Sequence, residues 1–159
     1  MRKTVEHLYG LLCQWASALQ SPLLLVVRLY WGWQFVQAGW GKLQNIDRTI
    51  GFFTNLGIPA PAIQAPFVAG LEVAGGVLLA VGLGSRLIAL LLAGDMVVAY
   101  LTADREAFLS FFSAPDKFYA ATPYTFLFTS LLILIFGPGK ASIDAILAKR
   151  FGATATPRS

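Results

Sequence analysis

The chain has 159 residues, 57% of them hydrophobic and 13% charged, with a formal net charge of +4; its mean hydropathy is +0.66. A soluble domain carries roughly a quarter charged residues, so this composition excludes an ordinary soluble domain, and no composition shift divides the chain in two. The single cysteine, Cys13, excludes an internal disulfide and any CxxC redox pair. The basic residues are dispersed between apolar runs, so they read as membrane topology and not as a nucleic-acid surface.

In chain order, Val5, Leu8, Leu12, Trp15 and Leu19 recur at helical spacing, which predicts an amphipathic helix lying in the membrane interface over residues 1–22. Glu6, His7 and Gln14 interrupt the apolar run, so the segment does not read as a signal peptide. Ser21 and Pro22 then suit the start of a first span. Leu23–Gly41 holds one charge in 19 residues, Pro66–Gly84 one in 19, Leu87–Ala103 one in 17, and Ala120–Gly137 none in 18. About 20 apolar residues cross a hydrocarbon core of about 30 Å. A soluble four-helix bundle would need a polar stripe on each helix, and Tyr124–Phe136 offers almost none.

The expected architecture is therefore all-α: an integral membrane four-helix bundle, spans 23–41, 66–84, 87–103 and 120–137, with interfacial amphipathic helices at the N- and C-termini. Between the first two spans, Ile46, Ile50 and Phe53 predict a short surface helix, which Leu56-Gly57-Ile58-Pro59 breaks. Gly84-Ser85-Arg86 joins the second and third spans as a tight hairpin. The second long connection carries Phe108, Leu109, Phe111 and Phe112, which read as membrane-surface anchors. Ile143, Ile146, Leu147 and Phe151 predict a short amphipathic helix in the tail, residues 138–159. Arg2, Lys3, Arg86, Lys140, Lys149, Arg150 and Arg158 fall on one side, against Lys42, Arg48, Arg105 and Lys117 on the other. The positive-inside rule then places both termini in the cytoplasm.

Four charges lie within or at the ends of the spans. On a helical wheel Arg28, Gly32, Phe35, Gly39 and Lys42 share one face of the first span. Glu72, Gly76, Leu79, Leu83 and Arg86 form a comparable line on the second, and Asp95 lies near the middle of the third. Counting depth from the span ends pairs Arg28 with Asp95 toward the inside and Lys42 with Glu72 toward the outside. A charge at the bilayer centre costs about 2.5–3.5 kcal/mol on insertion scales. Two readings follow: ion pairs that fix helix register, or a polar pocket in which Glu72 or Asp95 handles a proton or a ligand.

The run Arg28-Leu-Tyr-Trp-Gly32-Trp-Gln-Phe35-Val-Gln-Ala-Gly39-Trp-Gly-Lys42 resembles the first-helix signature of the DoxX family. Phe53-Thr-Asn-Leu56-Gly57-Ile-Pro59, Glu72-Val-Ala-Gly75-Gly76 with Gly82 and Arg86, and Phe136-Gly137-Pro138-Gly139 with Ser142 and Asp144 extend the likeness across residues 23–147. The resemblance implies a four-helix protein of the bacterial inner membrane. It further implies association with thiosulfate:quinone oxidoreductase subunits or with complexes of sulfur and oxidative-stress metabolism. Accessory subunits of membrane and metal-handling systems also belong to such a family.

Set beside that expectation, the residues exclude some chemistries. His7 is the only histidine, so neither a bis-histidine haem nor a His/Cys zinc site is available within this chain. A quinone pocket needs only apolar walls and one or two polar groups. Trp31, Trp33, Phe35, Trp40 and Tyr100, with Arg28, Lys42, Glu72 or Asp95, can supply it, although aromatics near span ends also serve as an interfacial belt. The readings carried forward are three. The first is a quinone-linked oxidoreductase subunit with its redox cofactor or active thiol on a partner; besides the lipid bilayer, a protein partner or a homo-oligomer is expected. The second is a non-catalytic accessory or anchoring subunit, and the third a proton-coupled carrier.

Overall fold

The computed structural model describes residues 2–152, with side chains from Glu6 onward. Of the positions used above, Arg158 lies outside the described residues, as do the side chains of Arg2, Lys3 and Val5. Every regular element among the described residues is a helix. Helix α1 runs Arg2–Gln44, α2 Ile46–Asn55, α3 Pro61–Val81, α4 Ser85–Thr102, α5 Arg105–Leu109, α6 Pro115–Ala120, α7 Thr122–Phe136 and α8 Ile143–Phe151. By length and composition α1, α3 and α4 are each able to cross a membrane. At 15 residues, α7 is shorter, about 22 Å, and it packs along α4 to complete a bundle of four.

The first departure from expectation is at Pro22, where α1 continues through all 43 residues without a break. A proline removes one amide donor from a helix, and the surrounding turns keep the rest of their ladder. The amphipathic stripe and the first span are thus one rod of about 64 Å. Its amino-terminal part extends past the bundle with Leu8, Leu12, Trp15 and Leu19 exposed. Helix α3 starts five residues earlier than the span drawn from hydropathy, at Pro61, because proline suits the first turn of a helix. Gly82 and Gly84, both at positive φ, close the α3–α4 hairpin.

Packing follows from small residues. Where α1 crosses α3, a Cβ added at Gly39 would lie 2.6 Å from the Ala69 carbonyl oxygen, and one at Gly76 would lie 2.5 Å from that of Gly32. Hydrophobic association is weak in lipid, so backbone approach of this kind supplies the dispersion contact that holds two spans together. Below the crossing, Phe35, Leu79, Ala89, Leu92, Met96 and Ile133 form the apolar core. At one end of the bundle, hereafter the loop end, α2 folds back with Thr49 and Phe53 buried. The opposite, hairpin end is closed by α8, whose Ser142 hydroxyl accepts from the Ala145 amide at 3.1 Å.

These contacts set an expected outcome. In reversible detergent unfolding, Gly39→Ala should lose about 1–3 kcal/mol by overpacking. Gly41→Ala, whose Cβ meets nothing within 4 Å, should stay within about 0.5 kcal/mol of the parent.

Candidate functional site

Helix α1 leaves the bundle at the loop end with Lys42 on the face toward α3. The close approach at Gly39 brings that face against Glu72, whose Cβ would be 2.8 Å from a Cβ at Gly39. Lys42 Nζ donates to both Glu72 carboxylate oxygens at 2.5 Å. Glu72 is 2% exposed and Lys42 32%. The expected Lys42–Glu72 pair is therefore present, and it ties α1 to α3 about halfway along α3.

Arg28 is not paired with Asp95. The guanidinium is fully buried at the hairpin end, where Nη2 donates to the Ala141 carbonyl at 2.5 Å, and Asp144 is the carboxylate that acts on it electrostatically. Asp144 in turn accepts from the Gly84 and Ser85 amides at 2.7 and 2.8 Å, capping α4. Only a residue without a side chain can stand at Gly82, since a Cβ there would be 1.8 Å from Arg28 Nη1. Arg28 thus clamps the segment before α8 onto the bundle.

Asp95 belongs to the other layer. The turn of the hairpin lies near Leu83, and Glu72 and Asp95 stand 11 and 12 residues to either side of it. Antiparallel helices place such positions at one height, about 17 Å from the turn. Counting inward from estimated span ends obscured this; counting outward from the turn would have found it. Asp95 faces Glu72 and Lys42 electrostatically, and its Oδ2 is buried with no hydrogen-bond partner in the structure.

These three side chains line a cavity of about 500 Å³ between α1, α2, α3 and α4, open on one side. Its walls are apolar: Phe52, Phe53 and Leu56 on one side, Val68 on another, and Met96, Val98 and Ala99 on α4. Asn45, Arg48, Thr49 and Gln64 supply polar groups nearer the loop end. Thr49 donates to the Lys42 and Asn45 carbonyls at 3.2 and 3.1 Å, which anchors α2 over α1.

Five aromatic residues expected at the site do not line this cavity; Trp33 is exposed on α1. Phe35 is a core residue set edge-on to Phe126, with ring centroids 4.6 Å apart. Tyr100 donates to the Phe118 carbonyl at 2.8 Å and stacks on its ring, so it secures α6. Trp31 is half-buried against Tyr30, and Trp40 is exposed on the outer face of α1. The aromatic residues that do face the cavity, Phe52 and Phe53, come from α2. Sequence placed Phe53 on a surface helix; the folding-back of α2 buries it, while Phe52, which the sequence reading did not single out, stays about half exposed at the cavity's edge.

A membrane helical bundle with a charged, apolar-walled chamber between its helices is the class that fold and site define. The DoxX family model matches residues 23–105, and the chain belongs to the DoxX family. It is 30% identical over 125 residues to a Bacillus subtilis protein named "Putative oxidoreductase CatD", covering 79% of this chain and 87% of that one. It is 30% identical over 134 residues to "Inner membrane protein YqjF" of Escherichia coli, covering 84% and 98%. A Mycobacterium tuberculosis membrane protein, Rv3486, is 32% identical over 136 residues, covering 81% and 83%. No solved structure matches the chain significantly.

The two polar layers make separable predictions. Arg28→Met combined with Asp144→Asn should be non-additive by at least about 0.5 kcal/mol in detergent unfolding, as expected for groups in one network. Arg28→Met combined with Asp95→Asn should add within about 0.5 kcal/mol.

Proposed function

We propose that this membrane protein is the quinone-binding subunit of an oxidoreductase complex of the bacterial inner membrane, with both termini in the cytoplasm. The observation that carries this reading is the chamber at the loop end, with apolar walls and Lys42, Glu72 and Asp95 in its lining. Small-molecule sites typically occupy about 300–1,000 Å³ and combine apolar lining with a few convergent polar groups, and this chamber does both. The printed name of the Bacillus subtilis relative agrees with the oxidoreductase class, and that of the Escherichia coli relative with the inner membrane.

A bound quinone supplies two-electron chemistry coupled to two protons. This chain's residues provide its setting. The Phe53 side chain, with Phe52 at the cavity's edge, would give a flat ring an apolar wall to rest against. Lys42 has three ammonium protons; two are directed at Glu72, and the third is free to hold a carbonyl oxygen in place. Glu72 fixes the position of Lys42, and the unpartnered Asp95 carboxylate exchanges a proton with a ligand oxygen. Electrons come from a donor centre on a partner subunit, because Cys13 is the chain's sole thiol and lies exposed on α1, in its part amino-terminal to Pro22.

The test is quinone reduction in native membranes with thiosulfate as donor. Asp95→Asn should lower turnover about a hundredfold, within the range for loss of a positioned acid or base. Arg28→Met, in the other layer, should retain turnover in whatever fraction stays folded. Full turnover in both Asp95→Asn and Glu72→Gln would overturn the assignment.

A further inference from the structure

Around Asp95 the cavity's polar groups are not balanced between donors and acceptors; the Arg48 guanidinium lines the same cavity but is exposed and makes no contact with Asp95. Lys42 directs two of its three protons at the two Glu72 oxygens. Glu72 is buried and satisfied by that contact. Asp95 then brings two further acceptor oxygens to the same depth, and no protein donor meets either; its Oδ2 is closed off from solvent altogether. The remaining polar side chains of the cavity, Asn45, Arg48, Thr49 and Gln64, stand toward the loop end. Thr49 and Gln64 already donate to backbone carbonyls, as does Asn45.

A buried acceptor without a donor is costly, by about 1–3 kcal/mol and more when charged. A ligand that brings a hydroxyl proton removes that cost, whereas one that presents only a carbonyl oxygen does not. Protonation of Asp95 does not reverse the preference. An ionised carboxylate accepts from a hydroxyl, and a neutral one can both accept from it and donate to it, because a hydroxyl plays either role. A carbonyl oxygen is an acceptor alone, so it can pair with Asp95 only in the neutral form.

Resting on the quinone reading above, we infer that the site selects the reduced, dihydroxy form of the ring over the dione, with Asp95 as the residue that reads the hydroxyl. Lys42 serves both forms through its free proton and therefore contributes binding without contributing selection. Asp95 is thus a specificity determinant as well as a proton-exchanging group. Its selectivity also has a direction: the chamber holds the hydroquinone side of the couple more firmly, which raises the midpoint potential of the ring while it is bound.

The experiment is anaerobic titration calorimetry of the full-length chain in detergent, using a short-chain benzoquinone and the corresponding hydroquinone. The parent protein should bind the hydroquinone at least about tenfold more tightly, the factor expected of one hydrogen bond to a charged group. Asp95→Leu should abolish the difference, chiefly by weakening the hydroquinone. Asp95→Asn, whose amide both donates and accepts, should narrow it. Circular dichroism and size-exclusion profiles like the parent's establish that each variant is folded. Equal affinities in the parent, a tighter dione, or a difference that survives Asp95→Leu would overturn this inference and leave the quinone reading standing. Binding of neither form would overturn both.

Discussion

Much of the architecture depends on the ion pair between Lys42 and Glu72. It joins a cation at the end of one span to a carboxylate buried halfway along another, and the close approach of α1 to α3 at Gly39 makes that reach possible. Removing either partner leaves an uncompensated charge in a chamber with apolar walls, where such a charge is expensive. The same pair sets the register of α1 against α3, and so places α2, which leaves α1 immediately after Lys42, across the loop end. The cavity results from that placement, since α2 supplies Phe52, Phe53 and Leu56 to its walls.

The two polar layers serve different ends. At the hairpin end Arg28, Gly82, Ala141 and Asp144 pack closely: the guanidinium fills the available space, bonding through Nη2 alone while Nε and Nη1 find no partner, and a carboxylate caps a helix. This is architecture. At the loop end the carboxylate left without a donor borders a cavity of about 500 Å³, which gives a ligand room to reach it. The separation gives each of the four span charges its own task. It also explains why a cation and a carboxylate of opposite sign, Arg28 and Asp95, need not meet.

The parts of this structure that were legible in the sequence were those encoded locally. Apolar runs gave the helices of the bundle, and Gly-rich turns gave the hairpin. The line Arg28, Gly32, Phe35, Gly39 and Lys42 gave the face of α1 that meets α3, because helical periodicity fixes direction. The Lys42–Glu72 pair followed from sign and depth. Arg28 was mispaired because its acceptor is a backbone carbonyl 113 residues away, and no residue type announces a carbonyl. Asp95 was given the wrong layer because hydropathy locates span ends poorly, whereas the hairpin turn is a sharp landmark. The cavity walls were missed for a third reason: a surface helix and a lid share one amphipathic pattern, and only tertiary packing tells them apart.

Charge reversal provides the most direct measurement of the central claim. Lys42→Glu and Glu72→Lys, made singly, place like charges in contact inside the bundle, and each should lose most of its monodisperse folded protein on fluorescence-detected size exclusion. The double exchange restores an attractive pair across the same helix crossing and should recover a large part of that yield. A double exchange no better than the worse single variant, or single reversals that fold as well as the parent, would contradict a structure in which this pair holds α1 to α3.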